Sequence, residues 1–195
     1  MIKGISFKIN LYRAILGVSF SAILLSACSE NFIFEKKYEF PNAKWTYQDS
    51  VNFDFTILDT LKIYNLYLEI EHGDTYPYQN IYTMTQTLFP EGQRPYQLLN
   101  VNLAEQSGKW EGKKSGENWT QRVDLQKGVF FSQPGNYTLT LRQYMRTDSL
   151  PDVKSIKFAV EQTSDVRKPE DMQIKKEKKE KKGNAEAQRK YLPVK

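Results

Sequence analysis

The stretch Val51-Asn52-Phe53-Asp54-Phe55-Thr56-Ile57 decides the fold class, because apolar and polar residues alternate along it without interruption. Successive side chains of a β-strand point to opposite faces, so this alternation predicts one buried and one solvated face. The pattern recurs a few residues later, where the apolar positions are Tyr64, Leu66, Leu68 and Ile70 and the opposite positions are Asn65, Tyr67, Glu69 and Glu71. The sequence therefore predicts two amphipathic strands here.

Further segments rich in Thr, Tyr, Phe, Val and Leu fit a half-buried pleated surface. They are 32–40, 81–89, 96–103, 119–125, 137–145 and 156–160. Turn-forming residues such as Pro90-Glu91-Gly92 and Gln133-Pro134-Gly135-Asn136 separate them, and no long helical period precedes residue 166. Seven or eight strands with regular breaks predict an all-β fold, an antiparallel β-sandwich of jelly-roll-like type, with a barrel as the alternative closure.

Residues 1–27 have the layout of a secretory signal. Lys3, Lys8 and Arg13 precede a mostly apolar run at 14–25. A run of about a dozen residues is shorter than the roughly 20 that a membrane-spanning helix needs. The sequence therefore predicts a cleaved signal peptide and not a transmembrane segment.

The apolar run ends in Leu25-Ser26-Ala27-Cys28, and Cys28 is the only cysteine in the chain. These residues resemble a bacterial lipobox, which implies that diacylglycerol is attached to the Cys28 thiol and that cleavage occurs directly before it. Two or more acyl chains anchor a protein stably, whereas one chain does so only marginally. The alternative is an ordinary thiol in a non-lipidated secreted or cytosolic protein.

The rest of the chain divides by composition. We predict a lipidated tether and first extended segment at 28–40, a β-sandwich domain at 41–166 and a Lys/Glu-rich tail at 167–195. The tail has too few apolar residues to offset the entropy of folding, so we expect it to be disordered or partly helical. It either remains solvated or contacts anionic lipid head groups or another polyanion.

The formal charge of +5 is unevenly distributed. Lys and Arg outnumber Asp and Glu by 11 to 5 from residue 167 onward, whereas residues 28–166 hold 14 basic and 18 acidic side chains. Nucleic-acid binding requires a basic face on the folded domain itself. The mildly acidic domain therefore argues against a nucleic-acid partner.

The single histidine, His72, lies beside Glu69, Glu71 and Asp74. A metal site or a general base is conceivable there, but the cluster has no second nitrogen or sulfur ligand. Serine-nucleophile motifs, phosphate-binding glycine loops and zinc-ligand spacings are absent from the sequence. We therefore expect a strand-end histidine that makes hydrogen bonds, and no catalytic residues, metal or cofactor.

Aromatic residues carry most of the remaining information. Trp45, Trp110, Trp119 and the stretch Tyr76-Pro77-Tyr78-Gln79-Asn80-Ile81-Tyr82 either fill the core or present rings to a partner. Tyr76 and Tyr78 flank a proline at a strand entrance, so we expect them to be exposed. The candidate surface for a protein partner or a glycan consists of His72, Tyr76, Tyr78, Asn80, Trp110 and Arg146. An anchored glycan-binding module is thus an alternative to a scaffold or adaptor.

Several motifs follow the lipobox in a specific order. They are Trp45 and Asp49, His72 with Tyr76-Pro77-Tyr78 and Asn80-Ile81-Tyr82, Gly108-Lys109-Trp110-Glu111-Gly112, Gly135-Asn136-Tyr137, and Met145-Arg146-Thr147-Asp148-Ser149-Leu150-Pro151. Over about residues 25 to 161 this order resembles the gliding-motility lipoprotein GldH family of Bacteroidota.

The resemblance implies a cell-envelope lipoprotein that supports gliding and the associated type IX secretion machinery, with a structural or assembly role and no catalysis. Its implied partners are the membrane, through the lipid on Cys28, and envelope proteins of that machinery. Ser29 directly after the anchor is compatible with transport to the outer membrane.

Overall fold

The computed structural model describes residues 30–168. The predicted signal peptide, Cys28 and residues 169–195 of the predicted tail lie outside the described residues. In chain order the strands are β1 (Phe32–Glu39), β2 (Lys44–Thr46), β3 (Ser50–Ile57), β4 (Lys62–Gly73), β5 (Asn80–Leu88), β6 (Tyr96–Asn102), β7 (Lys113–Ser115), β8 (Asn118–Val129), β9 (Gly135–Gln143), β10 (Ser149–Pro151) and β11 (Val153–Val166).

A 3-10 turn at Pro41–Ala43 is the helical element of the described residues. This part of the chain accordingly contains no helix of the length and apolar character that crossing a bilayer requires.

All strand pairs are antiparallel, and the long strands form two sheets. One sheet has the order β1-β11-β4-β8-β7 and the other β3-β9-β5-β6, while β2 and β10 form a small ribbon. Without the three-residue strands, the sheets run β1-β11-β4-β8 and β3-β9-β5-β6, which is the jelly-roll arrangement of two four-stranded sheets. The predicted all-β sandwich is confirmed.

The strand quoted first shows how the sequence produces the core. β3 pairs with β9 in an unbroken register that places Phe53 opposite Leu139 and Phe55 opposite Tyr137, and all four side chains are buried. On the outer face, Thr138 donates a hydrogen bond to Asp54, with 2.7 Å between the oxygens. The predicted alternation therefore holds on both strands, with rings inside and polar pairs outside.

Phe158 of β11 joins the two sheets. Its ring centroid lies 5.6 Å from that of Phe53, 5.5 Å from that of Phe55 and 5.9 Å from that of Phe34. Tilted aromatic pairs at such distances add about 0.5–1.5 kcal/mol each beyond the burial of their area. The core thus depends on rings from β1, β3 and β11, which are distant in sequence.

Each predicted segment coincides with one of the eight long strands. The prediction missed the three-residue strands β2, β7 and β10, because three residues carry too little alternation to be recognised. The expected strand-end histidine, His72, is the second-last residue of β4, which continues through Gly73. The strand extends further because the backbone N–H of Gly73 donates to the carbonyl of Asp152, at 2.9 Å.

The pairing register defines two ends of the sandwich. At one end the carbonyl of Asn31 accepts a hydrogen bond from Gln162, at 2.9 Å, and Val166 pairs with Lys62. We call this the tether end, because β1, β4 and β9 begin there and β3, β8 and β11 finish there. The opposite end is the far end. At about 3.3 Å per residue, the 12 residues of β4 place the two ends about 40 Å apart.

Candidate functional site

The candidate residues from the sequence all lie at the far end. His72 is near the end of β4, Tyr76 and Tyr78 lie in the connection to β5, and Asn80 begins β5. Trp110 lies between β6 and β7, and Arg146 lies between β9 and β10. The fold therefore gathers these residues at one end, although it gives them different roles.

His72 and Tyr76 belong to the interior and not to the surface. Their exposed fractions are 0% and 3%, so the prediction that Tyr76 is exposed is wrong. The centroid of the His72 ring lies 4.6 Å from that of Trp110 and 5.6 Å from that of Tyr76. The Tyr76 hydroxyl donates to the carbonyl of Asn80, at 3.1 Å, which holds the ring beneath its own loop. A partner cannot reach either side chain.

The protonation state of His72 follows from its surroundings. Its Nδ1 lies 3.0 Å from the carbonyl oxygen of Gly73. Because a carbonyl only accepts, Nδ1 carries the hydrogen. Its Nε2 is buried and has no hydrogen-bond partner within residues 30–168. Burial lowers the pKa of His72, so the ring is neutral and serves as part of the packed interior.

Asp152 fixes the loop that follows β4. Its carboxylate accepts hydrogen bonds from the backbone N–H of Thr75, at 3.0 Å, and from the Thr75 hydroxyl, at 2.5 Å, and pairs with Lys154 Nζ at 2.6 Å. Burial opposes ionisation, but the bonds from Lys154 and Thr75 lower the Asp152 pKa overall. A Cβ on Gly73 would lie 2.1 Å from Asp152 Oδ2, so a larger residue at this position would displace the Asp152 carboxylate from its bonds.

A depression of about 500 Å³ opens beside this interior. We call it the aromatic groove, and its lining residues are Tyr78, Tyr82, Leu98, Tyr144, Met145, Arg146 and Thr147. Tyr78, Tyr82 and Tyr144 are exposed to between 38% and 51%, which leaves their rings available for contact. Two of the predicted residues, Tyr78 and Arg146, line the groove.

Gln143 holds the groove loop in place. This side chain is buried, and its Nε2 donates to the carbonyl of Thr147, at 2.9 Å. Its Oε1 accepts from the backbone N–H of Met145, at 2.8 Å, so both polar atoms of the side-chain amide are hydrogen-bonded. Within the described residues, no side chain pairs with Arg146, which lies in the loop so held. The groove therefore offers phenol rings, the apolar side chains of Leu98 and Met145, and one guanidinium group.

The other groove residues could not be identified from the sequence. Alternation along β5 places Tyr82 on the face opposite the buried Ile81, but alternation alone does not identify its neighbours. The register places Met84 opposite Leu98 on β6 and opposite Arg142 on β9. The backbone N–H of Tyr144 then donates to the carbonyl of Tyr82, at 2.7 Å. Strand order is thus what assembles the groove.

The acidic cluster around His72 is divided by the pleat of β4. Glu69 and Glu71 lie on the outer face, where they pair with Lys157 and Lys37 respectively, each at 2.8 Å. The hydrogen bond from Lys37 lowers the Glu71 pKa, although burial opposes this shift. The His72 ring lies on the inner face. Within residues 30–168, no group of three or more His, Cys, Asp or Glu is placed to hold a metal ion.

The class of protein defined by this fold and site is a jelly-roll β-sandwich with an open aromatic groove at one end. The description of the family that matches residues 32–160 is "GldH lipoprotein". The chain belongs to this family of gliding-motility lipoproteins, and this membership supports a lipid-anchored protein of the cell envelope.

Two relatives illustrate the similarity. A "Gliding motility lipoprotein GldH homolog" of Christiangramia forsetii is 28% identical over 127 residues, which cover 65% of this chain and 77% of the relative. "Gliding motility lipoprotein GldH" of Flavobacterium johnsoniae is 24% identical over 149 residues, covering 73% and 92%.

Among solved structures, a carbohydrate-binding module specific for non-crystalline cellulose matches with a TM-score of 0.35 and 11% identity, over 68% of this chain and 72% of that chain. A structural similarity of this size does not bear on what this chain binds.

Proposed function

We propose that this protein is anchored through a lipid on Cys28, in the outer membrane, and supports gliding motility and the associated type IX secretion machinery as a non-catalytic structural or assembly component. The observation that carries the proposal is the family match over residues 32–160, which covers nearly all of the jelly roll. Leu25-Ser26-Ala27-Cys28 supplies the residues for the anchor.

The geometry of the far end is consistent with a binding role. Tyr and Arg are enriched at the energetically important positions of protein interfaces, since they combine a large contact area with polar groups. The aromatic groove presents Tyr78, Tyr82 and Tyr144 together with Arg146. We infer that the groove contacts an envelope protein.

Site-specific crosslinking in cells tests this contact. A photoreactive residue at position 144 lies in the groove, and the same residue at Lys113, which is exposed on β7, is a matched control on the other sheet. We expect position 144 to capture subunits of the gliding or secretion machinery and position 113 to capture none. Identical products from both positions, or an absence of envelope proteins at position 144, would contradict the proposal.

The anchor requires a separate test. Cys28→Ser should leave the chain unprocessed and remove it from the lipid-anchored membrane fraction, since the thiol that carries the lipid is gone. Mass spectrometry of the native protein provides the decisive measurement. A free thiol at Cys28 with the first 27 residues intact would refute the anchor.

An anchored glycan-binding module is the second candidate function. It is favoured by the exposed rings of Tyr78, Tyr82 and Tyr144, because flat aromatic faces can stack on sugar rings. Trp45 and Tyr76 are buried and cannot contribute. Retention of a saccharide on an array by the native chain, and its loss in Tyr144→Ala, would favour this function over the adaptor.

A further inference from the structure

The tether end exposes hydrocarbon. Leu58 is 83% exposed, Val166 59%, Leu61 53%, Ile33 39% and Phe130 36%. None of these side chains has a polar atom, so water is an unfavourable environment for all of them. We call these five residues the tether-end patch.

Arg167 connects several members of the patch. Its backbone N–H donates to the carbonyl of Leu61, at 2.7 Å, and its guanidinium carbon lies 3.8 Å from the centroid of the Phe130 ring. Val166 is its neighbour in the chain, and Leu58 belongs to the same short connection as Leu61. These four residues therefore lie close together at the tether end, and Ile33 lies near the start of β1 at the same end.

The patch is held in fixed loops. The Tyr64 hydroxyl donates to the carbonyl of Asp59, at 2.5 Å, and the Tyr137 hydroxyl donates to the carbonyl of Gln133, at 2.7 Å. These bonds fix the connection that carries Leu58 and the connection that follows β8. The apolar side chains are consequently presented at defined positions.

The length of the tether determines what the patch can reach. Asn31 is bonded to β11 through Gln162, so its position belongs to the folded domain. Only Ser29 and Glu30 separate it from Cys28. Three peptide units span at most about 11 Å. A lipid on Cys28 therefore holds the tether end at the surface of the leaflet.

The charge of the following sequence is complementary to such a surface. β11 finishes at Val166, and from Arg167 onward Lys and Arg outnumber Asp and Glu by 11 to 5. Basic segments next to a membrane are attracted to anionic lipids. The guanidinium group of Arg167 packs against the Phe130 ring. Arginine side chains at the boundary between water and an apolar region combine such an apolar contact with a charged end that stays in water.

We propose that the tether-end patch lies in the interfacial region of the leaflet that holds Cys28, so that the jelly roll contacts the membrane with its own side chains. The proposal rests on the lipid attachment proposed above. It orients the molecule, because the aromatic groove at the far end then points away from this leaflet.

Single-cysteine labelling of the full lipidated chain tests this placement. Cys28 is the only native cysteine, so an acylated protein offers one thiol after Leu58→Cys or Leu61→Cys. Lys113→Cys on β7 is the matched far-end control. In vesicles of phosphatidylethanolamine with a minority of phosphatidylglycerol, we expect a polarity-sensitive fluorophore at 58 or 61 to shift to the blue. Nitroxide lipids should quench it several-fold more strongly than the fluorophore at 113. Equal quenching at all three positions would overturn the proposal.

Two further outcomes separate the possible failures. If mass spectrometry shows acylated Cys28 while the probes at 58 and 61 remain in water, the patch proposal fails and the anchor stands. If the probes are shielded without vesicles, in proportion to protein concentration, a second copy covers the patch and the proposal also fails.

If Cys28 is not acylated, the anchor fails, and the patch is tested on the full unlipidated chain. Leu58→Asn combined with Leu61→Asn should then reduce vesicle partitioning by about tenfold or more. An unchanged partition coefficient would overturn the patch proposal. Because both leucines are exposed, an unchanged melting temperature verifies that the variant is folded.

Discussion

The two ends of the sandwich expose different kinds of apolar side chain. At the tether end they are Ile33, Leu58, Leu61, Phe130 and Val166, whereas the far-end groove presents three tyrosines, Tyr78, Tyr82 and Tyr144, beside Leu98 and Arg146. A tyrosine can bury its ring while its hydroxyl still makes a hydrogen bond, which suits a protein interface. A leucine side chain is stabilised only by its removal from water. This difference fits the two contacts proposed above, one with an envelope protein and one with the leaflet.

The interiors of the two ends differ as well. At the tether end, Phe131 packs against Tyr137 and Tyr64, with ring centroids 4.8 Å and 5.4 Å away. At the far end, the interior includes the polar ring of His72 against Trp110. The tether end should therefore be insensitive to pH near neutrality, whereas the far end contains a titratable group.

The largest expected effect comes from removing the ring that joins the two sheets. Phe158→Ala should lower the free energy of unfolding by about 3–5 kcal/mol, because it leaves a cavity between the sheets. Leu58→Ala is the matched control and should change it by less than about 0.5 kcal/mol, because Leu58 is 83% exposed. Urea denaturation measures both. A comparable loss of unfolding free energy for Leu58→Ala would mean that the tether-end patch stabilises the fold itself and is not a free contact surface.

The next effect is confined to the far end. Gln143→Ala should cost about 1–3 kcal/mol, because it leaves the half-buried carbonyl of Thr147 and N–H of Met145 without their side-chain partner. The released loop should also be cleaved faster by trypsin after Arg146. Gln97→Ala on the exposed strand β6 is the control. Unchanged cleavage at Arg146 would show that other contacts hold the groove.

The pH dependence of stability distinguishes the two interiors. Burial places the folded-state pKa of His72 below its ordinary value of 6.5, so the unfolded chain takes up the proton first as the pH falls. The free energy of unfolding should therefore decrease from about pH 6.5 downward, by at most about 1.4 kcal/mol per pH unit, until the folded-state pKa is passed.

His72→Phe should remove this dependence of the unfolding free energy on pH. Because the two proteins are compared by their slopes against pH, the change in stability that the substitution itself causes does not affect the comparison. Glu71 and Asp152 have lowered pKa values, so their contributions are lost only below their ordinary values of 4.5 and 3.8. Urea denaturation between pH 5 and 7.5 measures the difference. If the slope persists in His72→Phe, another titratable group causes it.

The smallest effect concerns the ion pair that helps to fix the far-end loop. Lys154→Met should lower the free energy of unfolding by about 0.2–1 kcal/mol, less at high salt, because the pair with Asp152 is partly exposed. Lys36→Met is the control, since Lys36 is exposed and forms no ion pair within the described residues. A loss of stability that does not depend on salt concentration would mean that packing of the Lys154 methylene groups, and not the ion pair, stabilises the fold.

Much of the fold could be predicted because alternation is a local property. The segment Val51–Ile57 has the same buried and exposed positions in the sequence and in the structure. The candidate site could be predicted less well from the sequence. The interpretation of Tyr76 failed because its hydroxyl finds the carbonyl of Asn80 only when the loop folds back beneath β5. Tyr144 was missed because its relation to Tyr82 depends on which strands are neighbours.

The sequence by itself determined the strand faces, the family and the lipobox pattern, since each depends on residue type and spacing along the chain. Only the tertiary structure decided that His72 lies inside, that the groove forms from β5, β6 and β9, and that exposed hydrocarbon collects where the tether enters. These features arise from the order and register in which strands far apart in sequence pair. No local pattern encodes that order, because a strand's side-chain alternation is the same whichever neighbour it has.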